Sequence, residues 1–333
     1  MLQYVRKYFL IYYVAVLIPI VGYFGFVYFT MGPSGFANLW TWLAAVGIGV
    51  AASLATSRIM NKAAGAEFKR KMKLFYNDCD ARLFLSEGAA IASRIKTPFN
   101  EWGSLYLCAY SLAYIDIGER EEARKIVDAM RESAQHARKP VEAAHICLNM
   151  HAPIKLLYGT EFALQCLTEA EGILADGASG ADYEDAKSYI DQERKIDIAE
   201  NFNDYEEIIS LYSTIYKNER VYRRTRVMAA RKIAECYRHM GNPISEKEYL
   251  EFVVAHGNKL SVVEEARIRL EELPELIIGY EKMLEQENAI DGEDSHEVEA
   301  ARTYEAIKAE KAAQAKKAKA LHQSELEEEQ PTP

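Results

Sequence analysis

The sequence predicts an all-α protein with a two-helix transmembrane hairpin, an α-solenoid of stacked helix–turn–helix units and a charged C-terminal segment. Tyr8 to Ser57 form 50 residues without one Asp, Glu, Lys, Arg or His. After residue 66, apolar residues recur every three or four positions, and the alternation typical of β-strands is missing. Glycine and proline separate stretches of 12–20 residues, which is the length of a helix. These patterns divide the chain into 1–66, 67–290 and 291–333.

Two uncharged stretches near the start of the chain are each long enough to cross a membrane. A helix needs about 20 apolar residues to span roughly 30 Å of hydrocarbon, and residues 9–30 and 39–57 both meet that length. The sequence between them, MGPSGFAN, predicts a tight turn. A cleaved signal peptide is the competing interpretation, but the first stretch is too long for one and leads straight into the second. We therefore expect a transmembrane hairpin.

Positive charges flank this hairpin on one side only. Arg6 and Lys7 precede the first span, six Lys and Arg residues follow the second span within 58–73, and the turn carries none. Lys and Arg stay on the cytoplasmic side of a membrane. Both termini and residues 67–290 are therefore expected in the cytoplasm, and the lipid bilayer is one expected partner.

Small residues recur every four positions along the second span. They are Ala45, Gly49 and Ser53 on one line and Gly47, Ala51 and Ala55 on another. Such lines let another helix approach closely. That helix is either the first span of the same chain, which is the simpler interpretation, or a second copy, which would make a homo-oligomer through the second span. The spans hold no ionisable residue, which argues against an intramembrane active site.

Charge is unevenly distributed along the chain. Residues 1–76 carry eight Lys and Arg against one Glu, a balance of +7, and the remainder carries 32 against 49, a balance of −17. An acidic body repels phosphate, so nucleic acid is not an expected partner. The five cysteines are scattered and form no CxxC pair, which predicts buried small side chains rather than disulfides or a zinc site. No cofactor is expected.

The region after the spans repeats one device at intervals of about 40 residues. A first helix is predicted around 67–95, ended by Thr97-Pro98 because the residue before proline avoids the helical conformation. Beyond it, an apolar stripe, a turn residue and a second apolar stripe recur. The turn residues are Gly118, Gly159, Asn203 and Gly241. One such unit cannot bury its apolar face alone, whereas stacked neighbours build a continuous core.

The unit around Gly118 has a particular order of residue types. A small residue and an aromatic three positions later precede the turn, and an apolar stripe follows it, in the order Ser111, Tyr114, Gly118, Ala123, Val127 and Met130. Over about 103–256 the chain resembles the tetratricopeptide repeat (TPR) family. Together with the two predicted spans, the resemblance implies a membrane-anchored bacterial member of that family. Its spacings of about 38–45 residues exceed the family's 34, and the closing proline of each repeat is missing. A HEAT-like pair and an irregular helical bundle are the alternative interpretations.

The resemblance implies a concave wall formed by the first helix of each unit. Its residues would be Leu105, Cys108, Leu112, Glu193, Asp197, Glu200, Arg231, Glu235 and Arg238. The Lys and Asn pattern by which some family members bind C-terminal carboxylates is missing, so that ligand is not expected. A wall that changes from apolar to charged suits an extended or helical segment of a partner protein. The alternative is that these side chains only pack or face water.

The densest positive stretch of the acidic body is KNERVYRRTRVMAARK, at 217–232. Arg220, Arg224 and Arg231 share a predicted helical face, and Arg223 lies beside it. A patch of this kind could bind an acidic peptide or a lipid head group, because arginine offers two parallel donors. The alternative is pairing with glutamates of the same and neighbouring helices.

No motif in the sequence indicates catalysis. Phosphate-binding, nucleophile-elbow and zinc-protease patterns are missing. His145 and His151 come nearest to a cluster, but the five residues between them place them on different helix faces. We therefore expect no catalytic residue and no metal site, and the protein is not predicted to be an enzyme.

The sequence as a whole predicts a membrane-anchored scaffold that recruits a protein of unknown identity to the membrane. Residues 291–333 are predicted to be a solvated helix that ends in a disordered acidic tail, with a partner-binding tail as the alternative. One competing function is an accessory subunit of a larger membrane complex that interacts through its spans. A more distant one is an enzyme without a recognisable motif.

Overall fold

The computed structural model describes residues 5–97, 99–137, 139–177 and 181–290. Within these residues the chain is helical, with no strand and with one short 3-10 helix at Gly32–Ala37, so the predicted all-α class is confirmed. The α-helices are α1 Arg6–Met31, α2 Leu39–Tyr76, α3 Ala81–Ala92, α4 Glu101–Asp116, α5 Arg120–Gln135, α6 Pro140–Tyr158, α7 Thr160–Gly177, α8 Ala181–Asn201, α9 Tyr205–Lys217, α10 Arg223–His239, α11 Pro243–His256 and α12 Ser261–Ile290.

The chain divides into two compact units, Met1–Leu273 and Pro274–Pro333. The first unit contains α1 to α11 and the start of α12. In the second unit the structure describes only the end of α12. The solvated helix and tail predicted for 291–333 lie outside the described residues.

The first two helices are long and apolar enough to cross a membrane. The apolar part of each is largely exposed on the protein surface. The tip between them is fixed by Thr41, whose hydroxyl donates to the Gly35 carbonyl at 2.9 Å, and by the side chain of Asn38, which accepts from the Trp40 amide at 3.0 Å. The predicted helical hairpin is therefore present.

The two lines of small residues in α2 have different environments. On the first line Ala45 is buried, Gly49 lies against Ile20 of α1, and the Ser53 hydroxyl is 2.6 Å from that of Tyr12. The second line, formed by Gly47, Ala51 and Ala55, is exposed. The first line therefore packs against the first span, as the simpler interpretation predicted, and the second line is open.

The helix predicted around 67–95 is wrong in its bounds. α2 is one helix of 38 residues that includes the apolar span and continues to Tyr76. A non-helical connection at 77–80 separates it from α3. Cys79 has a φ of 53°, and the Asp80 carboxylate caps α3 by accepting from the Leu83 amide at 3.0 Å. The break brings the buried rings of Phe75 and Phe84 together, with centroids 5.4 Å apart. Pro98 lies outside the described residues.

All four predicted turn residues lie in the left-handed region. Their φ angles are 87° at Gly118, 99° at Gly159, 51° at Asn203 and 70° at Gly241. At three of these turns the next amide donates to the carbonyl five positions back: Glu119 to Tyr114, Asp204 to Ala199 and Asn242 to Tyr237, at 2.9, 3.0 and 2.9 Å. This bond satisfies a carbonyl at the end of the first helix. The same turn therefore joins α4 to α5, α8 to α9 and α10 to α11.

The helix pairs bury the stripes that the sequence predicted to face each other. Ala123, Val127 and Met130 of α5 are fully buried, as are Ala163 and Leu167 of α7. All five cysteines are free and buried, and burial raises the pKa of the Cys108 thiol to about 12. They act as small apolar side chains, as predicted.

Distant parts of the first unit meet at the start of α10. Arg224 donates two hydrogen bonds to the Asp116 carboxylate of α4, both at 3.0 Å, and both side chains are buried. The Tyr222 ring stacks on Tyr76 at the end of α2, with centroids 5.1 Å apart. The Lys259 amide donates to the Cys79 carbonyl at 3.2 Å. These contacts bring the end of α2, α4 and α10 together around a space lined by α4, α6, α8 and α10.

Candidate partner-binding groove

A row of three cavities follows the first helices of the units. The first, of about 560 Å³, is lined by α2, α4, α6, α8 and α10, the second, of about 360 Å³, mainly by α6, α8 and α10, and the third, of about 130 Å³, by α10, α11 and α12. Leu112 and Glu193 line both the first and the second cavity, and Arg231 and Glu235 line both the second and the third. Because neighbouring cavities share walls, we call this row the groove.

The structure brings eight of the nine predicted wall residues to this groove. The exception is Asp197, which is fully buried beneath it. The residues that line it are Leu105, Cys108, Leu112, Glu193, Glu200, Arg231, Glu235 and Arg238. The wall changes from mainly apolar in the first cavity to charged in the third. That these residues bind a partner stays a prediction.

A cluster of charged side chains lies at the centre of the groove. Asp197 Oδ2 lies 2.7 Å from His151 Nε2, and Asp197 Oδ1 lies 2.6 Å from Lys155 Nζ. Burial alone would raise the pKa of Asp197, but the hydrogen bond to His151 and the charge of Lys155 outweigh it, and the pKa is lowered. Asp197 is therefore ionised at neutral pH.

Lys155 bridges two carboxylates of the cluster, Asp197 and Glu200. Its ammonium also lies 3.0 Å from Glu200 Oε2. Burial favours the neutral amine, but Glu200 and Asp197 favour the charged form more strongly, and the pKa of Lys155 is raised. The Tyr212 hydroxyl completes the arrangement by donating to Glu200 at 2.8 Å.

Glu193 differs from the other carboxylates of the cluster because it has no hydrogen bond from the protein within the described residues. The nearest basic side chain is His151, whose Nδ1 lies 3.7 Å from Glu193 Oε2. His151 Nδ1 is itself buried and has no hydrogen-bond partner. Burial raises the pKa of Glu193, since the neighbouring His151 and Lys155 only partly offset it. A partly exposed carboxylate without a donor thus faces both of the larger cavities of the groove, the first and the second.

An aromatic cavity of about 550 Å³ adjoins the groove at the end of α2. It shares Tyr76 and Leu105 with the first cavity of the groove. Its remaining wall is formed by Phe68, Lys69, Met72, Lys73, Asn77, Trp102 and Tyr222. Phe68 is the first of these residues along α2, and it lies about 16 Å beyond Ser57, at 1.5 Å per residue. The cavity therefore combines apolar rings with two lysines close to the end of the apolar span.

The four arginines of the predicted basic patch do not form one surface. Arg224 is buried and paired with Asp116, so it is not available to an external anion. Arg231 pairs with Glu265 at 2.9 Å, as the alternative interpretation expected. Arg223 is exposed on α10, and Arg220 lies in the turn before that helix. The stretch therefore contributes mainly to packing and to the groove wall.

Sequence reasoning set His151 aside and did not single out Lys155, although both belong to the central cluster. His151 and Lys155 are four positions apart on α6, so they lie on one helix face. Glu193, Asp197 and Glu200 share a face of α8 because they are four and three positions apart, and the structure places the two faces against each other. The paired spacings were visible in the sequence, but their pairing across 46 positions was not. Among the described residues, no group of His, Cys, Asp and Glu has the geometry of a metal site.

Comparisons with protein-family models, with curated proteins and with solved structures found no match for this chain. The resemblance to the TPR family therefore stays a prediction from the residues alone.

Proposed function

We propose that this protein is a membrane-anchored scaffold that holds a segment of a partner protein in its groove. The observation that carries the proposal is the continuous row of cavities, whose wall changes from apolar to charged. Such a wall suits a peptide segment with mixed side chains better than a small apolar ligand. The role is to bind and position, not to catalyse.

We further propose that the helix pairs form a TPR-like solenoid. Four left-handed turn residues at intervals of 41, 44 and 38 positions support this reading, from Gly118 through Gly159 and Asn203 to Gly241. Each turn joins a helix that lines the groove to a second helix that contributes fewer lining residues or none. In a stack of such units the first helices line a common surface.

The anchor gives the groove its location. Two helices able to span a membrane precede the soluble helices, and the positive charges at 6–7 and 58–73 favour a cytoplasmic position for residues after 57. Tethering raises the effective concentration of a membrane-bound partner, so even a weak groove would be occupied. Protease added to sealed right-side-out vesicles should leave the soluble region intact. Its digestion would contradict the proposed orientation.

Crosslinking from inside the groove tests the scaffold function. A photoreactive amino acid at Met228, which lines the second cavity, should attach the full-length protein to a specific partner in intact membranes. The same group at Ser210, on the exposed side of α9, is the matched control and should give no such product. Equal products from both positions, or none from Met228, would contradict the proposal.

A second candidate function is that of an accessory subunit that interacts through its spans. The exposed line of Gly47, Ala51 and Ala55 favours it, because small residues allow another transmembrane helix to approach. A second copy of the chain could use the same line. Replacing 9–57 by an unrelated two-helix anchor separates the two functions. Capture that survives the exchange supports the groove, and capture that is lost supports the spans.

A further inference from the structure

We infer that the groove recognises a basic side chain, an arginine or a lysine of the partner segment, which binds to Glu193 at the junction of the two larger cavities. This inference rests on the proposed function, because it names the chemistry of the segment that the groove would hold.

The position of Glu193 gives the first reason. Its side chain is 23% exposed, and it lines both the first and the second cavity. A segment lying along the groove therefore passes this carboxylate. In the free protein none of the described residues donates a hydrogen bond to it, and the nearest basic side chain is His151, with Nδ1 at 3.7 Å.

The proton on His151 gives the second reason. Asp197 is an ionised acceptor for Nε2 at 2.7 Å, so the proton of a neutral imidazole lies on Nε2. His151 Nδ1 is then an acceptor as well, which agrees with its lack of a hydrogen-bond partner. In the neutral form of His151, two acceptors thus lie side by side, Nδ1 and the Glu193 carboxylate. A side chain that brings N–H donors and a positive charge can donate directly to the Glu193 carboxylate, which is the exposed acceptor of the two.

The charge of the cluster gives the third reason. Four carboxylates face two ammonium groups, so 4 − 2 leaves two negative charges uncompensated while His151 is neutral. These groups are Glu193, Asp197, Glu200 and Glu235 against Lys155 and Lys232. The nearby arginines do not change the balance, because Arg224 is bound to Asp116 and Arg231 to Glu265. The centre of the groove therefore favours a cation over an anion.

The surface beside Glu193 suits the rest of such a side chain. Leu112 and Ala152 line both of the larger cavities. The methylene stem of lysine or arginine buries well against aliphatic surface while its charged end reaches a polar group. The first cavity, with Leu105, Cys108 and Leu148 in its wall, would take an apolar residue next to the basic one.

Selection of peptides tests this inference directly. Full-length protein in lipid nanodiscs is used to select binders from a phage-displayed library of random short peptides. The wild type should enrich sequences with arginine or lysine beside an apolar residue. Glu193→Gln should lower the affinity of the selected peptides about tenfold or more, as the loss of a charge-assisted hydrogen bond predicts. Glu206→Gln makes the same replacement of a carboxylate by an amide at an exposed position of α9. It is the matched control and should leave the affinity unchanged.

Two results would overturn the inference. One is enrichment of peptides without basic residues, and the other is equal binding to wild type and Glu193→Gln. Because Gln has the shape of Glu and Glu193 has no hydrogen bond to lose, the variant should fold, and circular dichroism checks this. Failure here is distinguishable from failure of the proposed function. Specific crosslinking from Met228 with unchanged binding to Glu193→Gln would keep the scaffold and reject the basic side chain.

Discussion

At the scale of single residues, the buried ion pair between Arg224 and Asp116 is the contact whose loss should matter most for stability. It joins α10 to α4 across 108 positions, with two hydrogen bonds of 3.0 Å. The Arg224 guanidinium also lies over the Phe75 ring, 4.5 Å from its centroid. Removing one member of a buried pair leaves the other charge without compensation.

Arg224→Met should therefore lower the free energy of unfolding by about 3–5 kcal/mol. Arg223→Met changes the exposed neighbour on the same helix and should stay within about 0.5 kcal/mol of wild type. Chemical denaturation followed by circular dichroism compares the two variants. Similar losses for both would mean that the buried pair does not fasten α10 to α4.

Ionisation of Glu193, by contrast, should lower the free energy of unfolding. Its pKa is raised by burial in the folded protein, so the folded state holds the proton more tightly than the unfolded state does. The stability linked to this proton is present below the ordinary glutamate pKa and is lost as pH rises through the folded pKa. A carboxylate that weakens the fold and faces a cavity is typical of a binding site.

Glu193→Gln should thus raise the melting temperature relative to wild type at pH 8, with a smaller gain or none at pH 4. The neutral amide has no proton to lose, so its contribution is the same at both pH values. Thermal unfolding at the two pH values measures the difference. A larger gain at pH 4 than at pH 8 would show that burial does not penalise this carboxylate.

At the scale of the elements, the turns were predictable and the continuity of α2 was not. Gly118, Asn203 and Gly241 are turn residues by chemistry, since glycine and asparagine tolerate a positive φ, and the structure gives each of them one. The sequence from Arg58 to Ala66 contains Gly65 but no proline, and a single glycine is tolerated inside a helix, so the apolar span continues as the same helix to Tyr76. The Asn and Asp residues at 77, 78 and 80 are a signal for the break between α2 and α3, which the single helix predicted around 67–95 did not take into account.

The conformation of the turn glycines can be tested with a matched pair of substitutions. Gly118→Ala should lower the free energy of unfolding by about 1–2 kcal/mol, because alanine is strained at a φ of 87° although its Cβ would meet no atom within 4 Å. Gly172→Ala, in the exposed face of α7 and equally free of contacts, should raise it by up to about 1 kcal/mol through helix propensity. Changes of the same sign would contradict the turn assignment.

At the scale of the whole molecule, the sequence predicted the hairpin, the helix pairs and most of the groove wall. The pattern of apolar residues determines which faces are buried, and the resemblance to the TPR family implied that the first helices of the units form a common wall. The charged cluster beneath that wall could not be predicted, because His151 and Asp197 are 46 positions apart and pair only after α6 and α8 pack. Ion pairs of this kind depend on tertiary distance, which spacing along one helix does not give.

The central claim is that the groove, and not another surface, holds the partner. Ala152 is half-buried and lines both of the larger cavities, so Ala152→Trp would fill their junction. Ala90→Trp, on the exposed side of α3, adds the same bulk elsewhere. The most direct measurement is the yield of partner crosslinked from Met228 in membranes containing each full-length variant. We predict that Ala152→Trp abolishes the product and Ala90→Trp preserves it, and an undiminished yield from Ala152→Trp would contradict the claim.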